Sequence, residues 1–173
     1  VRDNGEYKLM TGNEVGAMLC EYLLSELKEK GQLPESPVIV KTIVTTPLIS
    51  AICKEYNADM RDLLTGFKYI GGEILELEEK GEKEKFIFGF EESCGYLKGT
   101  YARDKDAVVA SMLVCEMAAS LKMRGKNILD ALEDVYHKYG YYLAHVQSLE
   151  LTGADAMEKA RNLMSELRKT APE

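Results

Sequence analysis

The sequence predicts an α/β fold: a three-layer α/β/α arrangement around a mostly parallel sheet, with a short C-terminal β-α extension from a following domain. Short β-branched or aromatic runs alternate with segments of helical periodicity, the order that produces a parallel sheet with helices on its faces. The strongest of these runs are apolar at every position rather than at alternate ones, as strands covered on both sides require. The composition, 46% hydrophobic and 29% charged over 173 residues, is that of a chain that folds around a core.

The elements follow in order. Asn4-Gly5 is a hairpin turn signal because both central positions of that turn favour positive φ. So few residues precede it that the partner strand is expected upstream of Val1. Thr11 to Lys30 reads as a helix with Val15, Met18, Leu19, Tyr22, Leu23 and Leu27 on one face and Gly31 as its stop. Pro37 to Thr45 is a buried strand by its β-branched content, and Pro47 to Tyr56 a helix with proline in its first turn. Asp59 to Leu64 is a short strand and Gly66 to Lys80 a helix, and the charged run Glu76 to Lys85 is a solvated face. Lys85 to Phe90 is a second apolar strand holding three of the four phenylalanines. Asp106 to Lys122 is so uniformly apolar that it predicts a buried helix, and Asn127 caps a last one through Tyr139.

Tyr141 to Leu151 then reads as a strand and Ala154 to Lys169 as an amphipathic helix carrying Met157, Ala160, Leu163, Met164 and Leu167. One strand and one helix bury no core of their own. With no initiator Met, the sequence reads as a piece of a longer chain: a domain over residues 1–140, and residues 141–173 as a linker with the first strand and helix of the next.

A net charge of −7 opposes binding to a phosphate backbone, so no nucleic-acid partner is expected. The longest apolar run, Ala107 to Ala119, is too short to cross a membrane and is broken by Ser111 and Glu116. Cys20, Cys53, Cys94 and Cys115 lie more than 20 residues apart, without the close pairs of zinc or redox motifs, which fits reduced thiols in a cytoplasmic protein.

In open α/β sheets ligands bind beyond the carboxyl ends of the strands. Three stretches there carry chemistry. In Thr65-Gly66-Phe67-Lys68-Tyr69-Ile70-Gly71, a glycine permits close backbone approach at a helix N-terminus and Lys68 adds a cation, which suits an oxyanion or sugar phosphate; a plain turn with a solvated lysine fits as well. In Gly89-Phe90-Glu91-Glu92-Ser93-Cys94-Gly95, two carboxylates and a hydroxyl suit a polyhydroxylated ligand, or the acids serve the dipole of a following helix. Cys94 has no histidine near it in sequence, since His137 and His145 fall in a later helix and strand, so it is a small loop residue rather than a nucleophile. In Tyr101-Ala102-Arg103-Asp104-Lys105-Asp106, Asp104 is the expected N-cap, with Arg103 and Lys105 beside it. A lysine set among cations releases its proton more readily, which makes Lys105 a candidate general acid or base, though a capped helix with two surface cations is the commoner outcome.

Taken together, in this order and spacing, the three stretches resemble the third domain of the α-D-phosphohexomutases, the phosphoglucomutase and phosphomannomutase superfamily. The resemblance runs from about Glu6 to Tyr139, and the tail resembles the start of the family's fourth domain. The Glu91-Glu92-Ser93 form places it nearer the phosphoglucomutase branch. The resemblance implies an isomerase, an intramolecular phosphotransferase that interconverts glucose 1-phosphate and glucose 6-phosphate through a bisphosphorylated sugar. A phosphomannomutase, a phosphopentomutase and a non-catalytic sugar-phosphate-binding module are the alternatives. A third reading is an interaction scaffold whose Met and Tyr side chains supply the contact surface.

By the same resemblance Lys105 is catalytic, Glu91 and Ser93 bind sugar hydroxyls, Thr65 and Gly66 line the cleft, Glu92 is a further substrate-binding residue, and Lys68 and Arg103 assist with phosphate. Hexose phosphate is the implied substrate and a sugar bisphosphate the activator. The remaining domains of the polypeptide are the implied partners. Magnesium is the implied cofactor, held by a loop that this sequence does not contain. The phosphoserine loop and the phosphate-binding loop of the fourth domain are likewise missing, so the fragment by itself is expected to be inactive.

Overall fold

The computed structural model describes residues 1–3, 5–144 and 150–170. Two strands, β1 (Arg2–Asp3) and β2 (Glu6–Tyr7), pair antiparallel at the start of the chain. The expected hairpin thus finds two strands within the sequence, of two residues each. Helix α1 (Gly12–Glu29) opens on a capping box: Glu14 donates its backbone N–H to Thr11 Oγ1 at 3.2 Å, and the Glu14 carboxylate accepts the Thr11 N–H at 2.7 Å. Gly31 ends the helix with φ at 65°.

Strands β3 (Val38–Thr42), β4 (Asp59–Leu63), β5 (Phe86–Glu91) and β6 (Gly95–Lys98) form the main sheet in the order β4-β3-β5-β6. The first three are parallel and β6 is antiparallel to β5. The sheet is mostly parallel, as expected. Its central strands β3 and β5 are buried at every position, and the edge strand β4 is not. The last strand had no sequence signal of its own: Gly-Tyr-Leu-Lys is too short to show alternation. In consequence Glu92–Cys94 forms the turn of a β-hairpin, where the sequence suggested a loop running into a helix.

Helices α2 (Leu48–Glu55), α3 (Phe67–Glu79), α4 (Ala107–Met123) and α5 (Ile128–Tyr139) complete the domain. Two cores lie on opposite faces of the sheet. One joins α1, α2, α4 and α5 to Ile39, Phe88 and Phe90; the other joins α3 to Val38, Val40, Phe86 and Leu97. A register shift between the pairs Val38–Phe86 and Ile39–Phe88 inserts one residue into β5. Because side-chain direction has a period of two, the insertion sends Phe86 to the α3 side and Phe88 and Phe90 to the α1 side. Phe88, Phe90 and Tyr96 then stack, with ring centroids 5.4 to 6.2 Å apart.

Three further expectations change. Helix α4 is not buried all round: Ala110, Leu113 and Met117 face the core, while Val108, Met112 and Met123 are 70%, 65% and 89% exposed. Composition does not tell a helix covered on one side from one covered on both. The N-cap of α4 is Asp106, whose Oδ1 accepts from the N–H groups of Val108 and Val109 at 2.7 and 3.1 Å, and not Asp104. The charged run after α3 is mostly solvated, but it contains the fully buried Leu77, and Glu78 pairs with Arg103.

Beyond α5, residues 141–144 and 150–152 carry no strand, and the rest of the strand expected over Tyr141 to Leu151, His145 included, lies outside the described residues. Helix α6 (Ala156–Lys169) forms as expected and buries none of its residues. Among the described residues no helix is long and apolar enough to cross a membrane, and all four cysteines are free thiols.

Candidate functional site at the carboxyl end of the sheet

The site is built where β3, β4 and β5 end. Gly66 precedes α3 with φ at 129°, a conformation that a side chain would strain, and it turns its N–H toward the neighbouring strand. There Glu91, 5% exposed at the end of β5, accepts that N–H through Oε1 at 2.8 Å. A buried carboxylate needs such a donor, and this one fixes which way the acid points. The bond also fastens the Thr65–Gly66 loop to the hairpin.

The third stretch arrives from the other side. Asp106 donates its backbone N–H to Tyr96 O at 2.9 Å, which docks residues 99–106 on β6 and sets Lys105 over the start of that strand. Lys105 Nζ lies 5.2 Å from the centre of the Phe67 ring and 3.2 Å from Asp104 Oδ1. Gly95 measures the convergence. A methyl group placed there would lie 3.2 Å from Lys105 Cδ, 3.5 Å from Glu91 Oε2 and 3.6 Å from Phe67 Cδ2. Lys105, Glu91 and the Gly66 loop thus border one space.

The remaining predicted residues are distributed around it. Thr65 is exposed on the β4–α3 loop and Ser93 on the tip of the hairpin. Glu92 is half-buried, its Oε2 at 3.4 Å from Thr42 Oγ1 and 3.5 Å from Thr45 Oγ1. Lys68 extends over the Tyr69 ring at 4.9 Å. Arg103 is the most committed: its guanidinium pairs with Glu78 and donates to Thr100 O at 2.8 Å. Asp104, exposed beside Lys105, has its carboxyl held below the usual range by the Lys105 backbone N–H and then by its ammonium.

Sequence reasoning missed the residues that hold the hairpin. Gly12 is one: a methyl group on it would sit 1.9 Å from the Glu92 carbonyl oxygen, so α1 and the hairpin turn touch backbone to backbone. Tyr96 bonds the Gly12 carbonyl through its hydroxyl at 2.9 Å, and burial raises that hydroxyl above its ordinary pKa. Thr42, Thr45 and Thr46, all buried, form the turn after β3, and Asn13 accepts the Thr46 N–H at 3.0 Å. The available signal was three threonines in Thr42-Ile43-Val44-Thr45-Thr46, at the end of an apolar strand just before Pro47.

Comparison with known proteins now decides the family. The sequence profile described as phosphoglucomutase/phosphomannomutase, alpha/beta/alpha domain III, matches residues 11–139. The chain belongs to this family. It is 32% identical over 170 residues to a phosphoglucomutase of Staphylococcus haemolyticus, covering 98% of this chain and 30% of that protein. To a phosphoglucomutase of Staphylococcus epidermidis it is 33% identical over 168 residues, covering 97% of this chain and again 30% of the relative. The chain thus spans about 30% of the length of the curated relatives it matches. Two solved structures share the fold. A putative phosphomannomutase from Thermus thermophilus superimposes with a TM-score of 0.59 at 24% identity, over 75% of this chain and 26% of that one. Parafusin, a phosphoglucomutase from Paramecium in its open form, does so with a TM-score of 0.60 at 17% identity, over 77% and 22%.

Among the described residues no group of three or more His, Cys, Asp or Glu side chains is placed to hold a metal ion. The magnesium implied by the resemblance has no ligand set among them.

Proposed function

We propose that this chain is the sugar-recognition part of a phosphoglucomutase, which interconverts glucose 1-phosphate and glucose 6-phosphate through a bisphosphorylated sugar. Residues 1–140 act as the sugar-binding third domain, and residues 141–173 as a linker and the first strand and helix of the fourth. The supporting observation is the Glu91 carboxylate, whose Oε1 is fixed by Gly66 while its Oε2 faces the space beside Lys105. An oriented acceptor next to an exposed ammonium suits a sugar that presents hydroxyls to one and a reacting oxygen to the other.

In this reading Glu91 and Ser93 take sugar hydroxyls, and Lys105 moves a proton to or from the oxygen that gains or loses the phosphoryl group. Thr65 and Gly66 form the wall. Lys68 is free to follow a phosphate, and Arg103 reaches one by exchanging Glu78 for it. Phosphoryl transfer rests on positioning and charge neutralisation, so nucleophile, metal and hydroxyl reader must converge on one transition state. The sugar binds in two orientations during the reaction, and a reader of its hydroxyls serves both.

Two outcomes test the proposal. The 173-residue chain alone, supplied with glucose 1-phosphate, magnesium and the bisphosphate activator, is expected to give no turnover in a coupled assay; appreciable activity overturns the reading. In the complete enzyme Glu91→Ala is expected to lower kcat/KM by about 10²-fold, the scale of a lost oriented contact. A loss below about twofold removes the hairpin from the substrate site.

A further inference from the structure

Glu91 and Glu92 are neighbours, but their carboxylates run in different directions. Glu91 is fastened to the loop after β4, whereas Glu92 Oε2 lies against the turn after β3, near the hydroxyls of Thr42 and Thr45. Those two hydroxyls are 2.8 Å apart and buried. Between them they have two protons for three contacts: one proton joins the threonines at 2.8 Å, and the other is left to point at Glu92 across a longer gap of 3.4 to 3.5 Å.

The turn beneath is unusually anchored. Lys41, 3% exposed in the centre of the sheet, donates from Nζ to Asp62 Oδ2 at 2.9 Å, and toward the carbonyls of Thr42 and Thr45 at 3.3 and 3.4 Å. Burying an ammonium is costly unless it is paired and hydrogen-bonded, and here its bonds tie the turn after β3 to Asp62 of β4. The Thr45 N–H closes that turn on Thr42 O at 2.9 Å. On its other side Glu92 is packed by its own carbonyl against Gly12.

We infer that Glu92 is a positioning residue: with Thr42 and Thr45, on the turn held by Lys41, it sets the placement of Glu91 and Ser93 without itself binding the sugar. The inference rests on the proposed sugar-recognition role of the hairpin and assigns Glu92 differently from the family resemblance. A charged ligand contact and a brace respond differently to substitution. A brace needs an acceptor for one hydroxyl proton, which an amide oxygen also provides.

The test is steady-state kinetics of the complete enzyme with glucose 1-phosphate. Glu92→Gln is expected to stay within about twofold of wild type. Glu92→Ala and Thr45→Val are each expected to raise KM about tenfold with kcat within about threefold, as misplacement of a binding loop does. Thr45→Ser should recover most of the loss. The double variant Glu92→Ala/Thr45→Val should lose clearly less than the sum of the two single losses, because the Glu92–Thr45 contact is common to both. Thermal melts identify any variant whose loss is simply unfolding, and Thr45→Ser and Glu92→Gln keep the test alive in that case. A Glu92→Gln loss as large as that of Glu92→Ala, or additive losses in the double variant, overturns the inference. If Glu91→Ala is also silent, the failure is that of the sugar-recognition reading itself.

Discussion

Residues 91–95 and residues 99–106 border the same space, yet the first stretch is buried at Glu91 and Gly95 and clamped by three separate parts of the fold, whereas the second rests on β6 and α3 at its ends and middle and leaves Lys105 exposed. The hairpin touches α1 at Gly12, the β4–α3 loop at Gly66 and the β3–α2 turn at Thr42 and Thr45. The segment carrying Lys105 is exposed at four of its eight residues and is held by one backbone bond to Tyr96, by Arg103, whose carbonyl lies against Gly71 of α3 and whose guanidinium pairs with Glu78, and by short-range bonds among Tyr101, Asp104, Lys105 and Asp106. A group that reads hydroxyls gains from a rigid mount, since misplacement by a fraction of an ångström weakens every contact. A group that must follow a proton gains from a flexible one. Lys105, 54% exposed along its side chain, has that freedom.

The contrast predicts opposite signatures for damage to the two stretches. The largest effect belongs to Lys105→Ala, which is expected to reduce kcat of the complete enzyme by about 10²- to 10³-fold, the usual contribution of a positioned acid or base. Its melting temperature should stay close to wild type, because removing an exposed side chain costs about 0.5 kcal/mol or less. Equal damage to stability and rate would break the comparison. Gly12→Ala should show the reverse. The added methyl collides with the Glu92 carbonyl, so backbone must move, at about 1–3 kcal/mol of stability read by denaturant unfolding, with a rise in KM from the displaced hairpin.

The smallest effect is a pH dependence. The Tyr101 hydroxyl first, then the Val109 and Val108 N–H groups, hold the Asp106 carboxyl below its ordinary pKa. A carboxyl depressed by folding stabilises the protein above its unfolded pKa, and loses that contribution as pH falls through the folded one. The melting temperature of Asp106→Ala is therefore expected to lie below that of wild type at pH 7, and the gap to close below about pH 4, the unperturbed range of Asp. A gap independent of pH would show that the carboxylate's charge plays no part in the cap.

Much of the architecture was legible from local signals. Capping residues Thr11 and Asn127, the stop at Gly31 and the strands over Val38–Thr42, Asp59–Leu63 and Phe86–Glu91 follow from propensities and periods that act over a few residues. What escaped was decided at longer range. Strand β6 exists because β5 offers it an edge, and Gly95–Lys98 has no pattern that announces this. The outward face of α4 carries Val108, Met112 and Met123 beside Ser111, Glu116 and Lys122, so hydropathy marks only weakly which stripe the core takes. At the site, the three motif stretches were visible, and the braces Gly12, Lys41, Thr42 and Thr45 were not. A brace acts through contacts between residues distant in sequence, and its own residue type is ordinary.

The sequence by itself determined the alternation of helices with strands β3, β4 and β5, the two-sided burial of the central strands and the family to which the chain belongs. Each is written in patterns that a short window or a motif carries. Only the tertiary structure decided that the two adjacent glutamates face different partners, and that Gly95 leaves room between Glu91 and Lys105. Direction and distance between separated segments are set by how the sheet twists and where the helices pack.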